Sequence, residues 1–493
     1  MKYLLNAKEA GDLDRISIRE YLMPSLVLME RASLALAEKI RENFEKTEKI
    51  LVLCGTGNNA GDGVAAGRIL SEWGYQVSLF LIGGGEKVSK ELERQIAIAK
   101  KTGLSFVTAP ELSGYPVLID AIFGIGLSRE VGGVYQTWIQ KMNESGSKIV
   151  SVDIPSGVSA TTGEILGTAV KADITVTFGE NKLGMVLYPG YLQAGKVFVC
   201  DIGFPKEALE ALKPGVFHYE PSDLETLFPK RVPYSNKGTY GKLLVIAGSE
   251  SISGAALFAA KAAYRTGCGL VKIISHENNR TMLQTKLPEA LFSFYTEEIP
   301  DRKDDLNWAD AVVIGPGIGT GEQGKTLMSQ VMRVQDKPVL IDADGINLLA
   351  AEKSWVKNGM LTLPDNFILT PHLKEFSRLM DIPVPEIQAE FMNYAMCPKN
   401  GAVLVLKDAR TFVSDGKKVY LNTSGNHALA KGGSGDVLSG IIGGLLARGM
   451  EDFTAAALGV YLHGLAAEEY IKEKSSSSML ATELVDLLAE VLP

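Results

Sequence analysis

The sequence predicts an α/β protein built from two domains, and three observations support this prediction. The chain has 493 residues, which is too long for one compact domain. Strand-like apolar runs alternate with helical patterns, an order typical of mostly parallel sheets with helices on both faces. The alternation is interrupted over residues 206–238, where prolines and charges accumulate. We interpret this segment as the interdomain connection and predict domains over residues 1–211 and 212–493, with the break near Leu212.

The first domain opens with helical sequence. Over about the first 45 residues, apolar side chains recur at spacings of three and four, which predicts amphipathic helices. These side chains are Leu26, Met29, Ala32, Leu36 and Ile40. Strand-like runs follow, namely KILVLC, YQVSLFLIG, PVLIDAIFG, SKIVSVDIP, ADITVTFG and KVFVCDIG. We predict from them a three-layer α-β-α domain around a mostly parallel sheet.

The second domain repeats this alternation. Its strand-like runs are GKLLVIAGS, GLVKIIS, ADAVVIGPGIG, KPVLIDADG, NFILTP, AVLVLK, TFVSD and KVYLNTS. Helical sequence then continues to the C-terminus, and the run VLSGIIGGLLA is typical of a buried helix rather than a membrane span. The four serines at 475–478 predict a loop between the last two helices.

Composition and charge exclude several classes of protein. With 46% hydrophobic and 22% charged residues, the chain is typical of globular proteins. The net charge of −8 and the lack of a basic stretch argue against nucleic-acid binding. The N-terminus turns polar by Asn6, before a signal-peptide core could form. We therefore expect a cytoplasmic enzyme that acts on small molecules, without a membrane partner, as a homo-oligomer.

The four cysteines carry no paired motif. Cys54, Cys200, Cys268 and Cys397 lie far apart in the sequence, without a CxxC pair. This spacing predicts reduced core cysteines rather than a disulfide framework or a zinc site.

A glycine-rich turn follows the first strand of the first domain. Gly55, Gly57 and Ala60 fit the spacing of a dinucleotide-binding turn. Hydride-transferring domains of this kind normally carry an acidic residue at the end of the second strand, for the adenosine ribose. Here that strand, YQVSLFLIG, ends without one. The glycines alone therefore leave open a tight turn that binds nothing.

Polar residues also follow three of the predicted strands. They are Asn58, Asn59 and Asp62 after the first, Asp120 in the third, and Asp153 with Ser156 after the fourth. Any one of them could be a helix cap or an Asx-turn residue. Because the carboxyl ends of parallel strands share one edge of a sheet, the set together favours a binding site. Amide and carboxylate oxygens suit a hard monovalent cation.

The motifs GTGNNAGDG, DAIFGIGLSREV and SVDIPSGVSATTGE resemble the N-terminal domain of the NAD(P)H-hydrate epimerases, over residues 1 to about 211. The resemblance implies a Rossmann-like domain in which the dinucleotide is a damaged substrate and no hydride is moved. It also implies that Asp153 is catalytic and that Asn59, Asp120 and Ser156 hold a potassium ion. The implied substrate contacts are Asn58, Asn59, Ala60, Gly61, Asp62, Gly124, Ile125, Gly126, Leu127, Ser128, Arg129, Glu130, Tyr135 and Asp153.

A second glycine run, LAKGGSGDVLSGIIGGLLARG, occupies residues 429–449. Gly432, Gly433 and Gly435 precede or open a helix whose free N–H groups suit an anion, especially a phosphate in transfer. Asp436 lies at the same helix start, where a plain helix-stabilising role is the alternative. The chain has no GxxxxGK[ST] sequence, so it does not use a P-loop.

The run GSGD followed by an apolar helix resembles the ribokinase superfamily. GTYGKLLVIAGS, VIGPGIG, VLIDADGIN, LTPHLKEFSRL and GGSGDVLSG resemble, in this order, the ADP-dependent NAD(P)H-hydrate dehydratases over residues 216–493. The resemblance implies a ribokinase-like α/β domain with Asp436 as the base. The implied hydrate contacts are Gly317, His372, Leu373, Lys374, Glu375, Phe376 and Asp436. The implied ADP contacts are Lys407, Asp408, Ala409, Arg410, Thr411, Asn426, Lys431, Gly432, Gly433, Ser434 and Gly435.

The two resemblances together predict a repair enzyme for hydrated NADH and NADPH. The first domain would interconvert the R and S hydrates at C6, and the second would dehydrate the S form. Transfer of a phosphoryl group from ADP to the C6 hydroxyl, followed by loss of phosphate, would give the reduced coenzyme and AMP. Mg²⁺ would neutralise the diphosphate. Asp342 and Asp344 are candidates for its outer coordination sphere, with a strand-end turn role equally open.

Alternatives remain at this stage. The chain could be a small-molecule kinase of the ribokinase type, against which HLKEFSRL and GPGIG argue. The first domain could be a non-catalytic binding module, against which the presence of Asn59, Asp120 and Asp153 argues. His372 follows a proline at a probable helix start, so a neutral structural histidine is its alternative.

Overall fold

The computed structural model describes residues 1–85 and 88–493. The chain divides into two compact units, Lys2–Val216 and Phe217–Pro493. Both units are α/β, which confirms the predicted fold class. The division follows the helix that ends at Leu212 by a few residues. The functional domain ranges 1–211 and 212–493 stay a prediction.

The N-terminal unit alternates strands and helices along its length. Its elements are β1 (Lys2–Leu5), α1 (Ala7–Arg19), α2 (Ser25–Asn43), β2 (Ile50–Cys54), α3 (Asn58–Glu72), β3 (Val77–Leu81), α4 (Lys90–Lys101), β4 (Ser105–Phe106), β5 (Val117–Ala121), α5 (Gly133–Glu144), β6 (Lys148–Val152), β7 (Ile174–Phe178), β8 (Asn181–Lys182), α6 (Tyr191–Ala194), β9 (Lys196–Cys200) and α7 (Lys206–Leu212). The six predicted strands correspond to β2, β3, β5, β6, β7 and β9. The sequence analysis missed β1, β4 and β8, which are short.

The main sheet of this unit is parallel throughout, in the order β4-β3-β2-β5-β6-β7-β9. The central strand β2 is buried on both faces, as parallel strands between two helical layers are. Ile50 and Val52 pack in one apolar cluster, with residues of α2 and α3. Leu51 and Leu53 pack in another cluster, with residues of α5. The alternation of β2 side chains therefore builds the predicted three layers.

The C-terminal unit follows β10 (Val216–His218), which spans the division. Its elements are α8 (Leu224–Leu227), β11 (Lys242–Ile246), α9 (Gly254–Arg265), β12 (Leu270–His276), α10 (Arg280–Lys286), β13 (Leu291–Tyr295), α11 (Lys303–Trp308), β14 (Ala311–Ile314), α12 (Glu322–Val331), β15 (Val339–Ile341), α13 (Asp344–Glu352), β16 (Val356–Lys357), β17 (Met360–Leu361), β18 (Phe367–Leu369), α14 (Leu373–Met380), α15 (Val384–Ala389), β19 (Val403–Leu406), β20 (Phe412–Ser414), β21 (Val419–Leu421), α16 (Ser434–Ala447), α17 (Asp452–Glu473) and α18 (Ala481–Val491).

The strands of this unit lie in the order β13-β12-β11-β14-β15-β18-β19-β20-β21. Pairing is parallel up to β19 and antiparallel from there to β21. The predicted buried helix is α16, which packs so closely on α9 that an added Cβ at Gly440 would lie 2.1 Å from the Ala259 carbonyl oxygen. The predicted serine loop connects α17 to α18.

Two further predictions about the chain can be compared with the structure. All four cysteines are free thiols, and Cys54, Cys268 and Cys397 are buried, as expected of core cysteines, whereas Cys200 is half-buried. Within residues 1–85 and 88–493, no helix combines the length and the apolar character that crossing a membrane requires.

Candidate active sites

The N-terminal unit contains a cavity of about 540 Å³. A cavity of this size is typical of small-molecule sites. Its walls come from α1, α2 and α3 and from the loops that follow β2, β5 and β6. The predicted substrate contacts that line it are Asn58, Asn59, Asp62, Gly124, Ile125, Gly126, Leu127, Ser128, Arg129 and Asp153.

The remaining predicted substrate contacts have different surroundings. Ala60 is fully buried in the apolar core. Gly61 packs on α2, where an added Cβ would lie 2.7 Å from a methionine side chain. The ring of Tyr135 packs on an aromatic neighbour with centroids 4.9 Å apart, and Glu130 is exposed. Among the described residues, none of these four lines the cavity, so their predicted contacts remain predictions.

Asp153 lines this cavity from the turn after β6. Its φ of +64° is a left-handed value that is costly for a residue with a side chain and is often found at functional positions. Oδ1 of Asp153 accepts hydrogen bonds from the Lys182 ammonium at 2.6 Å and from the Thr177 hydroxyl at 3.0 Å. The side chains of Asp153 and Lys182 are 14% and 4% exposed, so this ion pair is largely shielded from water.

Two further carboxylates, those of Asp14 and Asp62, line the same cavity. Burial, together with the charge of Asp153, raises the pKa of Asp14 to about 6 against the opposing charge of Lys182. Burial also raises the pKa of Asp62 well above its usual range, and the charges of Asp153 and Asp14 raise it further. The cavity therefore places three aspartates, Asp14, Asp62 and Asp153, near one buried ammonium group, and Glu91 and Arg129 also line it.

Asp14 and Lys182 line this cavity although no sequence motif predicted them as site residues. Asp14 belongs to a helix with a polar face, and a polar residue there is usually solvated. Lys182 follows β7 in the run TFGENK, and lysines are rarely buried unless they are paired. The only available signal was a lysine close to the end of a predicted buried strand, which is weak.

Helix α3 begins beside the cavity without a side-chain cap. Gly57 precedes its first residue, Asn58, and both line the cavity. Gly55 lies so close to the loop after β5 that an added Cβ would be 2.1 Å from the Ile122 carbonyl oxygen. The uncapped N–H groups of α3 and its positive dipole end favour an anionic ligand at this turn.

A second polar cluster lies beside the cavity, at the end of β5. Asp120 is fully buried and accepts hydrogen bonds from the Ser156 hydroxyl at 2.5 Å, the Ser156 N–H at 2.8 Å and the Ser151 hydroxyl at 2.8 Å. Burial outweighs these hydrogen bonds and raises the pKa of Asp120. Gly124 packs on Asn59, whose buried Nδ2 atom has no hydrogen-bond partner among the described residues. The structure thus brings Asn59, Asp120 and Ser156 together.

This cluster fits the implied potassium ion. The donors that Asp120 accepts from are neutral, so no side chain in the described residues offsets its buried charge by an ion pair. Oxygen atoms dominate the cluster, and a hard cation prefers oxygen. A 180° rotation of the Asn59 amide, which interchanges its oxygen and nitrogen, would present the oxygen where the unpartnered nitrogen now lies.

The C-terminal unit places Asp436 in the first turn of α16. This helix follows Gly433, which has a φ of +91°, and it has no side-chain cap. Burial, together with the charges of Asp342 and Asp344, raises the pKa of Asp436 to about 7 against the opposing charge of Lys407. The helix start therefore offers uncapped N–H groups and a carboxylate that titrates near neutral pH.

Asp342, at the end of β15, is buried against Lys407 and Ser439. Its Oδ1 atom accepts a hydrogen bond from the Lys407 ammonium at 2.9 Å, and its Oδ2 atom accepts one from the Ser439 hydroxyl at 2.6 Å. Burial acts to raise the pKa of Asp342, but Lys407 and Ser439 outweigh it and the pKa is lowered. Gly435 lies beside this pair, with its Cβ position 3.6 Å from the Lys407 nitrogen.

Asp344 has a backbone partner in the loop after β14. Its Oδ2 atom accepts a hydrogen bond from the Gly319 N–H at 2.9 Å. Gly317, in the same loop, has a φ of +65°. The strand-end turn role that was an alternative for Asp344 is therefore present, and the predicted contact Gly317 packs on Ile252 and Ala255.

His372 caps α14. Its Nδ1 atom accepts hydrogen bonds from the N–H groups of Lys374 and Glu375, both at 3.1 Å. Its own N–H donates to the Glu375 carboxylate at 2.9 Å. Burial and the nearby Lys407 lower the pKa of His372, so it is neutral around pH 7. The structural alternative for His372 is thus present, and its Nε2 atom also lies 3.3 Å from the Glu375 carboxylate.

The other predicted contacts of this unit lie in several local environments. Lys407 is adjacent to the start of α14, because its N–H donates to the Pro371 carbonyl at 2.8 Å. Asn426 uses its amide locally, accepting from Ala428 and donating to Ala467. Lys431 donates to the Ser477 carbonyl at 2.6 Å. Of the rest, Leu373, Asp408, Ala409 and Gly432 are exposed or half-buried, whereas Phe376, Arg410 and Ser434 are buried and Thr411 is half-buried.

Comparisons with known proteins match both units. The sequence model described as NAD(P)H-hydrate dehydratase matches residues 243–490, and the one described as YjeF-related protein N-terminus matches residues 25–184. A bifunctional NAD(P)H-hydrate repair enzyme of Thermofilum pendens is 34% identical over 97% of this chain and 94% of its own. Another such enzyme, of Moorella thermoacetica, is 34% identical over 99% and 96%.

Solved structures support the fold of the second unit. A ribokinase-like superfamily protein of Enterococcus faecalis aligns with a TM-score of 0.50 and 28% identity, covering 56% of this chain and 95% of its own. This likeness confirms the ribokinase-like fold predicted for the C-terminal domain. Together with the near-complete coverage of the curated relatives, the matches show that this chain belongs to the family of bifunctional NAD(P)H-hydrate repair enzymes, with an epimerase (isomerase) and a dehydratase (lyase) in one polypeptide.

Proposed function

We propose that residues 1–211 carry the epimerase, with Asp153 as its catalytic carboxylate. The observation that supports this most is the geometry of Asp153: it lines a substrate-sized cavity, has a left-handed φ of +64°, and lies 2.6 Å from a buried lysine. Left-handed backbone occurs elsewhere in the described chain, but at Asp153 it coincides with a cavity wall and a buried counter-ion, which together favour a functional role.

The cavity walls suggest how the hydrated dinucleotide binds. The uncapped start of α3, at Gly57 and Asn58, suits the pyrophosphate. The loop of residues 124–129 lies along the same cavity. These contacts leave the hydrated nicotinamide ring to approach Asp153. In this arrangement the nitrogen lone pair of the ring assists departure of the C6 hydroxyl, and a carboxylate handles the proton.

Potassium would be held by Asn59, Asp120 and Ser156. When bound, it would supply a positive charge that offsets the buried Asp120 carboxylate. Ser156 donates to Asp120 and also accepts from the Phe123 N–H at 2.8 Å. Asp120 and Ser156 therefore fix the loop after β5, whose following residues 124–129 line the cavity.

In residues 212–493 we assign the base of the dehydratase to Asp436. It would accept the proton of the C6 hydroxyl as that oxygen receives the terminal phosphoryl group of ADP. Loss of phosphate and of the C5 proton then gives the reduced coenzyme, with AMP as the other product. The uncapped N–H groups at the start of α16 lie at the same position as Asp436 and suit the transferred phosphoryl group.

Few of the described side chains near Asp436 could bind magnesium. Among the residues that the structure describes, no group of three or more His, Cys, Asp or Glu side chains is arranged to hold a metal ion. Mg²⁺ commonly uses one or two carboxylates together with phosphate oxygens, so it would arrive with the diphosphate and neutralise it. Asp342 is committed to Lys407 and Ser439, which leaves Asp344 as the candidate for an indirect contact.

The experiment that tests these assignments supplies hydrated NADPH and ADP and separates the two activities by variant. Asp436→Asn should lose dehydration and keep epimerisation, and Asp153→Asn should show the reverse. Loss of both activities in either folded variant would contradict two separate sites.

We also keep a cytoplasmic location and a homo-oligomeric state as predictions, which fractionation and light scattering would test.

A further inference from the structure

We infer that Asp14 is a second catalytic carboxylate of the epimerase, acting with Asp153 on the same substrate. The inference rests on the proposed assignment of this cavity as the epimerase site. Asp14 lies on α1 and lines the cavity. Within the described part of the chain, its carboxylate forms neither a hydrogen bond nor an ion pair. Its neighbour Asp12, by contrast, is paired with Arg15 at 2.8 Å.

The chemistry of epimerisation needs two proton transfers. The C6–O bond breaks when the departing hydroxyl takes up a proton and leaves as water. A bond to oxygen then forms on the other face of the ring, and the incoming water must lose a proton. One carboxylate at a fixed position reaches one face well. Two carboxylates from separate elements, α1 and the turn after β6, can divide the transfers.

Their surroundings separate the two roles. Asp153 has a counter-ion, because the Lys182 ammonium lies at 2.6 Å. Asp14 forms no ion pair with the described residues, although the charge of Lys182 acts on it from a distance, and it shares the cavity with the carboxylates of Asp153 and Asp62. The remaining charged residues of the cavity are Glu91, which accepts a hydrogen bond from the Ser25 hydroxyl, and Arg129, and within residues 1–85 and 88–493 neither is paired with Asp14. When two carboxylates in one site have such different environments, they favour different protonation states, and this difference identifies an acid and a base.

The steps balance without any co-reactant. In one direction Asp14 donates its proton to the leaving hydroxyl, the ring nitrogen supplies the electron pair that replaces the C6–O bond, and Asp153 accepts the proton of the incoming water. In the other direction Asp153 donates and Asp14 accepts. Both directions use the pair in its singly protonated form, as an equilibrium requires. Each event replaces the C6 oxygen by one from the solvent.

The test uses the full chain without ADP, so that only epimerisation proceeds, and follows the R and S hydrates of NADPH by chromatography. Asp14→Asn should slow epimerisation by about 10²-fold or more, the usual worth of one acid–base group. Asp12→Asn, on the same helix but outside the cavity, should react at the rate of the unaltered protein. With ADP present, both variants should dehydrate the S hydrate normally, and a urea titration like that of the unaltered protein should show that their N-terminal unit is folded.

Two readouts distinguish catalysis from a structural role. The rate should fall as pH rises through about 6, the pKa of Asp14, because Asp14 then loses its proton, and this decrease should be absent in Asp14→Asn. The activity of Asp14→Ala should be partly restored by formate, which replaces the missing carboxylate. Near-normal epimerisation by Asp14→Asn, or no rescue by formate, would overturn the inference while leaving Asp153 in place. If the unaltered protein failed to epimerise, the proposed function itself would be wrong.

Discussion

Both units hold an aspartate against a lysine, but the aspartates are exposed to different extents. In the N-terminal unit, the Asp153 side chain is 14% exposed and lines the cavity beside Lys182. In the C-terminal unit, the Asp342 side chain is 2% exposed and is held by Lys407 at 2.9 Å. The same kind of ion pair therefore serves two purposes in this chain. Asp153 lines the cavity, where a substrate can contact it, whereas the charge of Asp342 raises the pKa of the neighbouring Asp436.

The second aspartate near each ion pair, Asp436 or Asp14, also has a different setting in the two units. Asp436 lies at an uncapped helix start, where the dipole and N–H groups attract phosphate. Asp14 lies within α1, whose start is capped by Asn6, and the uncapped helix start that lines its cavity belongs to α3. In the C-terminal unit the aspartate thus lies in the first turn of the uncapped helix itself, whereas in the N-terminal unit it lies on a different helix and shares the cavity with Asp153. This matches phosphoryl transfer in one case and proton exchange in the other.

The largest effect should come from Asp436→Asn. The amide cannot accept the proton of the C6 hydroxyl, so ADP-dependent dehydration should fall by about 10²–10⁴-fold. Asp452→Asn is a matched control, because Asp452 lies in the first turn of α17 and burial likewise raises its pKa to about 6. Rates of coenzyme restoration, read by absorbance, should be normal in the control. Dehydration at the normal rate by Asp436→Asn would show that Asp436 is not the base.

The next effect concerns Lys182→Met, which leaves Asp153 without its counter-ion. Breaking a buried pair by removing one partner costs about 3 kcal/mol of unfolding free energy, and epimerisation should fall with it. Lys148→Met removes an exposed partner of Asp173, whose loss should be undetectable in a urea titration. Equal stability of the two variants would mean that the Asp153–Lys182 pair does not stabilise the N-terminal unit.

How far the sequence could lead differs between the two sites. Asp153 and Asp436 could be found from sequence because each lies in a local motif, SVDIPSG or GGSGD, at the end or start of one element. Lys182 and Asp14 could not, because they meet Asp153 only once β8 and α1 are placed beside the turn after β6. The function predicted from the motifs is confirmed by the family comparisons, whereas the individual site residues stay predictions.

The pH dependence of dehydration offers a finer comparison. As a base, Asp436 must be ionised, so kcat/KM should rise about tenfold per pH unit below about 7 and level off above it. Asp342→Asn removes a negative charge that raises this pKa, so the rising limb should move to lower pH. The measurement is the pH profile at saturating ADP. If the rising limb of the profile stayed at the same pH, the charge of Asp342 would not affect the pKa of Asp436.

The smallest expected effect is that of potassium on stability. An ion that binds only the folded unit raises the melting temperature, and a shift of about 2 °C requires less than 1 kcal/mol of binding energy. We expect the shift in potassium chloride relative to choline chloride at equal concentration, measured by calorimetry. Asp120→Asn, which removes the buried charge, should abolish it. The same shift in that variant would contradict the cation site.

The central claim is that one chain carries two separate reactions, with the epimerase chemistry at Asp153. The most direct test supplies a mixture of R and S hydrates with excess ADP and follows restoration of the coenzyme. Asp153→Asn should repair the S fraction quickly and then stall at the slow uncatalysed epimerisation rate. Adding the Asp436→Asn protein, which supplies only the epimerase, should remove the plateau. A single-phase curve for Asp153→Asn alone, like that of the unaltered protein, would contradict the claim.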